Sequence, residues 1–260
     1  MLIPIQKFKG TRFGSKEKLS DESLCALYDI VHSRPISSRE YEKAVLGNYE
    51  GLSDSVHQES PSTLGGRGII TVASVADFGS VVVKHYSRGG LLRFVAGGTY
   101  LKNGATRGQQ EYETLCEVKE MGVNVPDPVA FAFKGKLFYK AWLVTKEIPG
   151  RRTLVELSAM DEDLCFDALE SLIFQFSLLI KNRIFHVDLH PGNVVVDRNK
   201  TVFILDFDKA YKFQGSLNRL RDLYLRRWRR AVIKHKLPDY LSERVCLGLR
   251  QNFEEGSVAV

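Results

Sequence analysis

The segment His186-Val187-Asp188-Leu189-His190-Pro191-Gly192-Asn193 restricts what this chain can fold into more than any other. It is followed by Val194-Val195-Val196, a turn at Arg198-Asn199-Lys200, and a second apolar run from Val202 to Leu205. Pro-Gly enforces a tight turn between Asp188 and Asn193. The two apolar runs read as a hairpin, which returns Asp206 of Leu205-Asp206-Phe207-Asp208 to the neighbourhood of Asn193. An apolar strand ending in two acids separated by one Phe is costly without a cation nearby. Phosphoryl transfer asks for such a set: one carboxylate to accept a hydroxyl proton, then a second carboxylate and an amide oxygen to hold Mg²⁺ on phosphates. Asp188 is therefore the candidate catalytic base, and Asn193 and Asp206 are the candidate metal ligands. His186 reads as a support of the loop through hydrogen bonding.

The other half of such a site belongs upstream. From Leu64 to Tyr86, two β-branched runs flank Ala76-Asp77-Phe78-Gly79, which predicts a hairpin with Lys84 near the end of its second strand. Gly65-Gly66-Arg67-Gly68 precedes that strand, the order of a phosphate-covering glycine loop and a strand lysine. Gly66 and Gly68 are candidate nucleotide contacts, and Lys84 is the candidate ligand of the α- and β-phosphates. A helix is predicted over Arg107 to Met121, with Gly122 as its C-cap. Glu111, early on that helix, is the candidate ion-pair partner of Lys84; Glu113 is the alternative, because the sequence does not set the helix rotation. Backbone near Glu147 and Ile148 is the candidate hinge for an adenine ring.

The rest of the chain supplies scaffold. Ser20 with Asp21 and Glu22 opens a predicted helix, and Gly47 to Ser62 is polar and irregular. Val123 to Val129, with two prolines, leaves the helix that ends at Met121, and Leu137 to Ile148 reads as strands. Pro149-Gly150 marks a break, and Asp161-Glu162-Asp163 starts a long helix. These assignments divide the chain into residues 1–60, an extension without a chemical signal, residues 61–149, a nucleotide-binding lobe, and residues 150–260, a catalytic lobe. The expected class is α+β: a two-lobed, protein-kinase-like fold with a small β-rich N-terminal lobe and a reduced, mostly helical C-terminal lobe. Cys25, Cys116, Cys165 and Cys246 lie far apart, which signals neither a disulfide framework nor a zinc site. MLIPIQKFKG has too short an apolar stretch for a secretory signal, and no apolar run is long enough for a membrane span, so a cytoplasmic protein is expected.

Charge is the remaining signal. Lys and Arg number 37 against 31 Asp and Glu. Arg219 to Lys236 alone holds six Arg and two Lys against one Asp, so everything outside it is close to neutral. Within it Leu220, Leu223, Tyr224, Trp228, Ala231 and Val232 recur at helical spacing, which predicts a basic amphipathic helix over about residues 217–236. Arg219, Arg226, Arg227, Arg229 and Arg230 are its candidate contacts to an anionic membrane surface. Nucleic acid competes as a partner because Tyr and Trp interleave with Arg, but it is not the expected one. A second basic stretch, Lys84 to Arg107, contains no acid and is interrupted by two Gly-Gly pairs. It is a candidate contact to an anionic acceptor.

Together, KHYSRGG, EYETLCEVKEMGVNVPDPVA, HVDLHPGNVVVD and LDFDKA resemble the bacterial lipopolysaccharide kinases, over roughly the last three quarters of the chain. Within that family the resemblance runs to members that phosphorylate 3-deoxy-D-manno-octulosonic acid (Kdo). It implies an ATP-dependent enzyme with Mg²⁺ that acts on the Kdo, at its 4-hydroxyl, of a lipid A precursor in lipopolysaccharide biosynthesis. It also implies a peripheral position on the cytoplasmic face of the bacterial inner membrane. Asp188 becomes the base, Asn193 and Asp206 the metal ligands, and Lys84 the phosphate-binding lysine. Asp208 stands where protein kinases carry the Gly of Asp-Phe-Gly, and no Ala-Pro-Glu follows, which disfavours a protein kinase. The same motifs also suit a heptose kinase or, less readily, a nucleotide-binding pseudokinase.

Overall fold

The computed structural model describes residues 3–33, 69–86, 99–101 and 104–254. Gly66, Gly68 and most of the basic stretch between Lys84 and Arg107 lie outside the described residues. The class is α+β, and the chain divides into two compact units, Met1–Glu113 with Asp127–Glu147 and Thr114–Pro126 with Ile148–Val260.

The first unit is built on an antiparallel sheet. Its strands are β1 (Ile5–Phe8), β2 (Thr11–Gly14), β3 (Ile69–Val75), β4 (Gly79–Tyr86), β5 (Tyr100–Leu101), β6 (Pro128–Gly135) and β7 (Phe138–Lys146). The order is β1-β2-β6-β7-β4-β3, with β5 also paired to β7. The predicted hairpin is β3–β4, in register from Ile69↔His85 to Val75↔Gly79. Gly79 takes φ +72° at its turn, a left-handed value open to glycine. Helix α1 (Asp21–His32) buries Leu24, Leu27, Ile30 and Val31, in one core with Ala73, Val81, Val83, Ala132 and Trp142. Ser20 caps α1 and, with Ser23, donates to the Asp77 carboxylate at 2.5 Å, so the β3–β4 turn is tied to the helix start. Residues 5–32, which carry no chemical signal in the sequence, thus complete the sheet edge and its cover. The Pro-rich segment after Gly122 leaves the helix as the sequence predicts and then runs into β6, a strand the sequence reading does not give. Pro128 sits at the first residue of that strand, where a missing N–H costs no ladder bond.

Helix α2 (Arg107–Glu120) contains the point at which the unit boundary falls. The second unit continues with β8 (Arg152–Thr153), α3 (Leu154–Met160), α4 (Glu162–Lys181), β9 (Ile184–Phe185), a 3₁₀ turn at Pro191–Asn193, β10 (Val194–Val196), β11 (Val202–Ile204), β12 (Tyr211–Lys212), α5 (Leu217–Lys234) and α6 (Tyr240–Glu254). Asp161 caps α4, whose inner face carries Ala168, Leu172, Phe176 and Leu179. Trp228 and Tyr224 of α5 meet Phe176 with ring centroids 5.4 and 5.6 Å apart. Gly248 of α6 lies so close to α4 that a Cβ there would stand 2.7 Å from Ile173 Cδ1. Buried Gln175 bridges Asn124 N–H at 3.0 Å and Val202 carbonyl at 2.9 Å, anchoring the hairpin that carries the acids. That hairpin is β10–β11, with Val195↔Phe203 in register and β8 added on its other side.

Candidate active site

In the first unit, β4 presents Lys84 and α2 presents Glu111. Lys84 Nζ donates to both Glu111 oxygens, at 3.0 and 2.8 Å. The carboxylate is 2% exposed and the lysine 23%. Tyr86, two residues further along the same strand face, also donates its hydroxyl to Glu111. A buried carboxylate is tolerable only with such partners. Glu113, the sequence alternative, is exposed and accepts from Gln109 at 2.9 Å. At the other end of β4, Ser80 donates to the Glu147 carboxylate at 2.5 Å, and the Glu147 N–H is committed to the Ser80 carbonyl at 3.0 Å. Ile148 is buried.

In the second unit, the loop from β9 to the 3₁₀ turn is held from several sides. His186 is buried; its N–H donates to the Tyr224 hydroxyl at 3.0 Å, and that hydroxyl donates to the Ile184 carbonyl at 2.9 Å. His186 Nε2 donates to the Leu205 carbonyl at 2.8 Å, which ties the loop to the residue before Asp206. Its ring packs edge-on against Phe207 at 4.5 Å. Burial lowers the His186 pKa to about 4, opposed by the Leu205 carbonyl and by Asp206 and Asp188. The imidazole is therefore neutral at physiological pH, and it supports the loop as the sequence indicates.

Pro191 and Gly192 turn the chain so that Asn193 Nδ2 donates to the Asp188 carbonyl at 2.8 Å. Asn193 also accepts the Leu205 N–H at 2.8 Å through its own carbonyl. With its amide nitrogen so used, the Asn193 side-chain oxygen is the end available to a cation. Asp206 follows Leu205 directly and takes φ +63°, a left-handed backbone seldom adopted by a non-glycine residue. Among the described residues no group of three or more His, Cys, Asp or Glu could hold a metal ion by itself. Asn193 with Asp206 suits Mg²⁺, which is commonly bound through one or two protein oxygens together with substrate phosphates and water.

Asp188 is half-buried, and each of its oxygens meets a cation. Arg227 Nη2 of α5 lies 2.7 Å from Oδ1, and Lys209 Nζ lies 3.3 Å from Oδ2. Neither cation is signalled as a partner of Asp188 in the sequence. Lys209 could have been noticed three residues after Asp206, whereas Arg227 is one of six similar arginines. The finding also narrows the reading of the basic helix. Arg227, expected at a membrane surface, is committed to Asp188. The aromatic residues of the apolar stripe are covered by protein, with Tyr224 and Trp228 each 1% exposed, so those rings offer no stacking platform to a nucleic acid. Arg219, Arg226, Arg229 and Arg230 are exposed. Among the described residues no helix is long and apolar enough to cross a membrane.

A model of the lipopolysaccharide kinase (Kdo/WaaP) family matches residues 58–245. A 3-deoxy-D-manno-octulosonic acid kinase of Vibrio cholerae serotype O1 is 35% identical over 149 residues, which are 54% of this chain and 63% of that relative. One from Vibrio vulnificus is 31% identical over 52% of this chain and 58% of its own length. The match therefore spans about three fifths of each of these two relatives. A third, from Stenotrophomonas maltophilia strain K279a, is 29% identical over 80% of this chain and 85% of that relative.

Proposed function

Because the chain belongs to the lipopolysaccharide kinase (Kdo/WaaP) family, we propose that it transfers the γ-phosphoryl group of ATP to the 4-hydroxyl of Kdo on a lipid A precursor. The observation that carries this reading is the fixation of Asp188, through its carbonyl by Asn193 and through its carboxylate by Arg227 and Lys209. A carboxylate held in this way can receive a proton from a hydroxyl brought against it.

Each residue then has a role. Asp188 orients the acceptor hydroxyl and takes its proton as the oxygen forms a bond to the γ-phosphorus; the bond from that phosphorus to the ADP oxygen breaks. Lys84, held by buried Glu111, contacts the α- and β-phosphates, with Gly66 and Gly68 covering them. The Glu147 carbonyl and the backbone at Ile148 serve the adenine, since the Glu147 N–H is taken by Ser80. Asn193 and Asp206 hold Mg²⁺, which when bound neutralises charge on the phosphates. Lys209, at the edge of the Asp188 carboxylate, is placed to follow the charge that moves with the phosphoryl group. Charge neutralisation and positioning provide most of the acceleration; the base contributes on the order of 10²- to 10⁴-fold.

The acceptor is part of a lipid, and the exposed Arg219 and Arg229 suit peripheral attachment to the anionic cytoplasmic face of the inner membrane. The deciding experiment is incubation with ATP, Mg²⁺ and a Kdo-containing lipid A precursor, followed by mass spectrometry of the lipid. One added phosphate on Kdo is the expected product. Phosphate on heptose of a longer core acceptor, with none on Kdo, would make the protein a heptose kinase instead.

A further inference from the structure

Next to Asp188, α5 and the segment around Leu189 enclose a pocket of about 350 Å³, within the size range of small-ligand sites. Leu189 and Leu223 contribute apolar surface, and Arg226, Arg227, Arg230 and Lys234 surround it; among the described residues no carboxylate lines it. Arg226, Arg230 and Lys234 follow one another at i, i+4 spacing, where like charges repel. The one acid of the helix, Asp222, sits a turn ahead of Arg226, but both Nε and Nη2 of Arg221 bond to it at 3.1 Å. This row of cations is therefore unfavourable for the helix alone, and an anionic ligand would remove the repulsion.

Two donors sharpen the chemistry. Arg227 reaches Asp188 through Nη2, while its Nε is buried without a hydrogen-bond partner among the described residues, leaving a donor for an oxyanion. His190 Nδ1 accepts the Gly192 N–H at 3.1 Å, which puts the proton of the neutral ring on Nε2. The pocket thus combines fixed positive charge, an uncharged donor at His190 and an apolar wall, the complement of a sugar acid with a carboxylate, hydroxyls and a ring face.

We propose that this pocket is the acceptor site, in which Arg226, Arg230 and Lys234 bind the carboxylate of the acceptor sugar and Arg227 links that site to Asp188 as a positioning residue. The identity of the sugar acid as Kdo rests on the kinase reading above; the anion site rests on the pocket itself.

The test uses the full chain and its Arg230→Gln/Lys234→Gln variant, both alterations being at exposed positions. Transfer is measured with the Kdo-lipid acceptor and with the same acceptor after reduction of the Kdo carboxyl to an alcohol. Binding of free Kdo is measured by calorimetry without ATP. The variant should show at least a tenfold higher KM for the carboxylate acceptor, a KM for ATP within twofold of wild type, and little change with the reduced acceptor. Free Kdo should bind wild type at least tenfold more tightly than the variant. Equal losses on both acceptors, or unchanged acceptor KM and Kdo binding, would overturn the site. Inorganic phosphate displacing free Kdo at equal concentration would overturn the carboxylate assignment in favour of a phosphate. Kdo binding that depends on Arg230 and Lys234, without transfer by wild type, would refute the kinase reading and uphold the site.

Discussion

Arg227 Nη2 lies 2.7 Å from Asp188 Oδ1, across 39 positions of sequence. An arginine on one carboxylate oxygen and Lys209 on the other orient Asp188 without occupying every lone pair, since a carboxylate offers about four acceptor sites. Asp188→Asn keeps the shape but cannot accept a proton. Its kcat should fall by roughly 10²- to 10⁴-fold while ATP affinity stays within a few fold. Steady-state kinetics and nucleotide titration check this, and wild-type turnover in the variant would remove Asp188 from the mechanism.

Asp206 stands in left-handed backbone at the end of the β10–β11 hairpin, the conformation that sets its position relative to Leu205 and Asn193. Asp206→Ala should abolish the gain in ATP affinity produced by Mg²⁺, while metal-free nucleotide binding is unchanged. Titrations with and without Mg²⁺ give the answer. A variant that still responds to the metal like wild type would require another ligand.

The Lys84–Glu111 pair is asymmetric, with the acid buried and the lysine partly exposed. Lys84→Met strands a buried carboxylate, leaving Tyr86 as a remaining donor. It should cost about 3 kcal/mol, the lower end for breaking a buried pair. Glu111→Gln leaves the charge on the more exposed partner and should cost clearly less. Urea unfolding of both variants compares them, and equal small losses would mean that the pair is not buried in solution.

His186 is neutral in the fold, its pKa lowered by burial to about 4 from an ordinary 6.5. The unfolded chain therefore binds the extra proton first, and stability from this group is full above pH 6.5 and falls as the pH drops towards 4. Between pH 7 and pH 5 that amounts to about 2 kcal/mol, at about 1.4 kcal/mol per pH unit. His186→Gln, which can still donate to Leu205, should lose about 2 kcal/mol less over the same interval. Chemical denaturation of both proteins at pH 7 and pH 5 measures the difference, and parallel losses would contradict a buried neutral histidine.

Arg219 and Arg229 are exposed on α5 and line no part of the pocket. Each basic residue near an anionic leaflet is worth about 1 kcal/mol, so replacing both with Gln should weaken binding to phosphatidylglycerol vesicles by about 30-fold. The loss should shrink as salt is raised. Vesicle co-sedimentation reads the effect. Binding indifferent to both substitutions and to salt would exclude attachment through this helix.

Much of the scaffold was legible because its signals are local. The Asp77-Phe78-Gly79 turn, the α4 cap at Asp161, the Pro191-Gly192 turn and the apolar runs of β10 and β11 each depend on a few adjacent residues. The β6 strand was missed because Pro126 and Pro128 imitate a loop, and only pairing with β2 and β7 reveals that Pro128 opens a strand. Glu111 could not be chosen over Glu113 from sequence, since two residues of helix differ by about 200° of rotation and packing sets the rotation.

The sequence by itself determined that Asp188, Asn193 and Asp206 share one turn and one hairpin, and that an excess of arginine gathers on one helix. Only the tertiary structure decided which arginine meets Asp188. Burial of Leu220, Tyr224, Trp228 and Val232 fixes the rotation of α5. That rotation turns Arg227 to the carboxylate, Arg226, Arg230 and Lys234 to the pocket, and Arg219 and Arg229 to solvent. Charge pattern states how many cations a helix carries; the burial of its apolar face states where each one points.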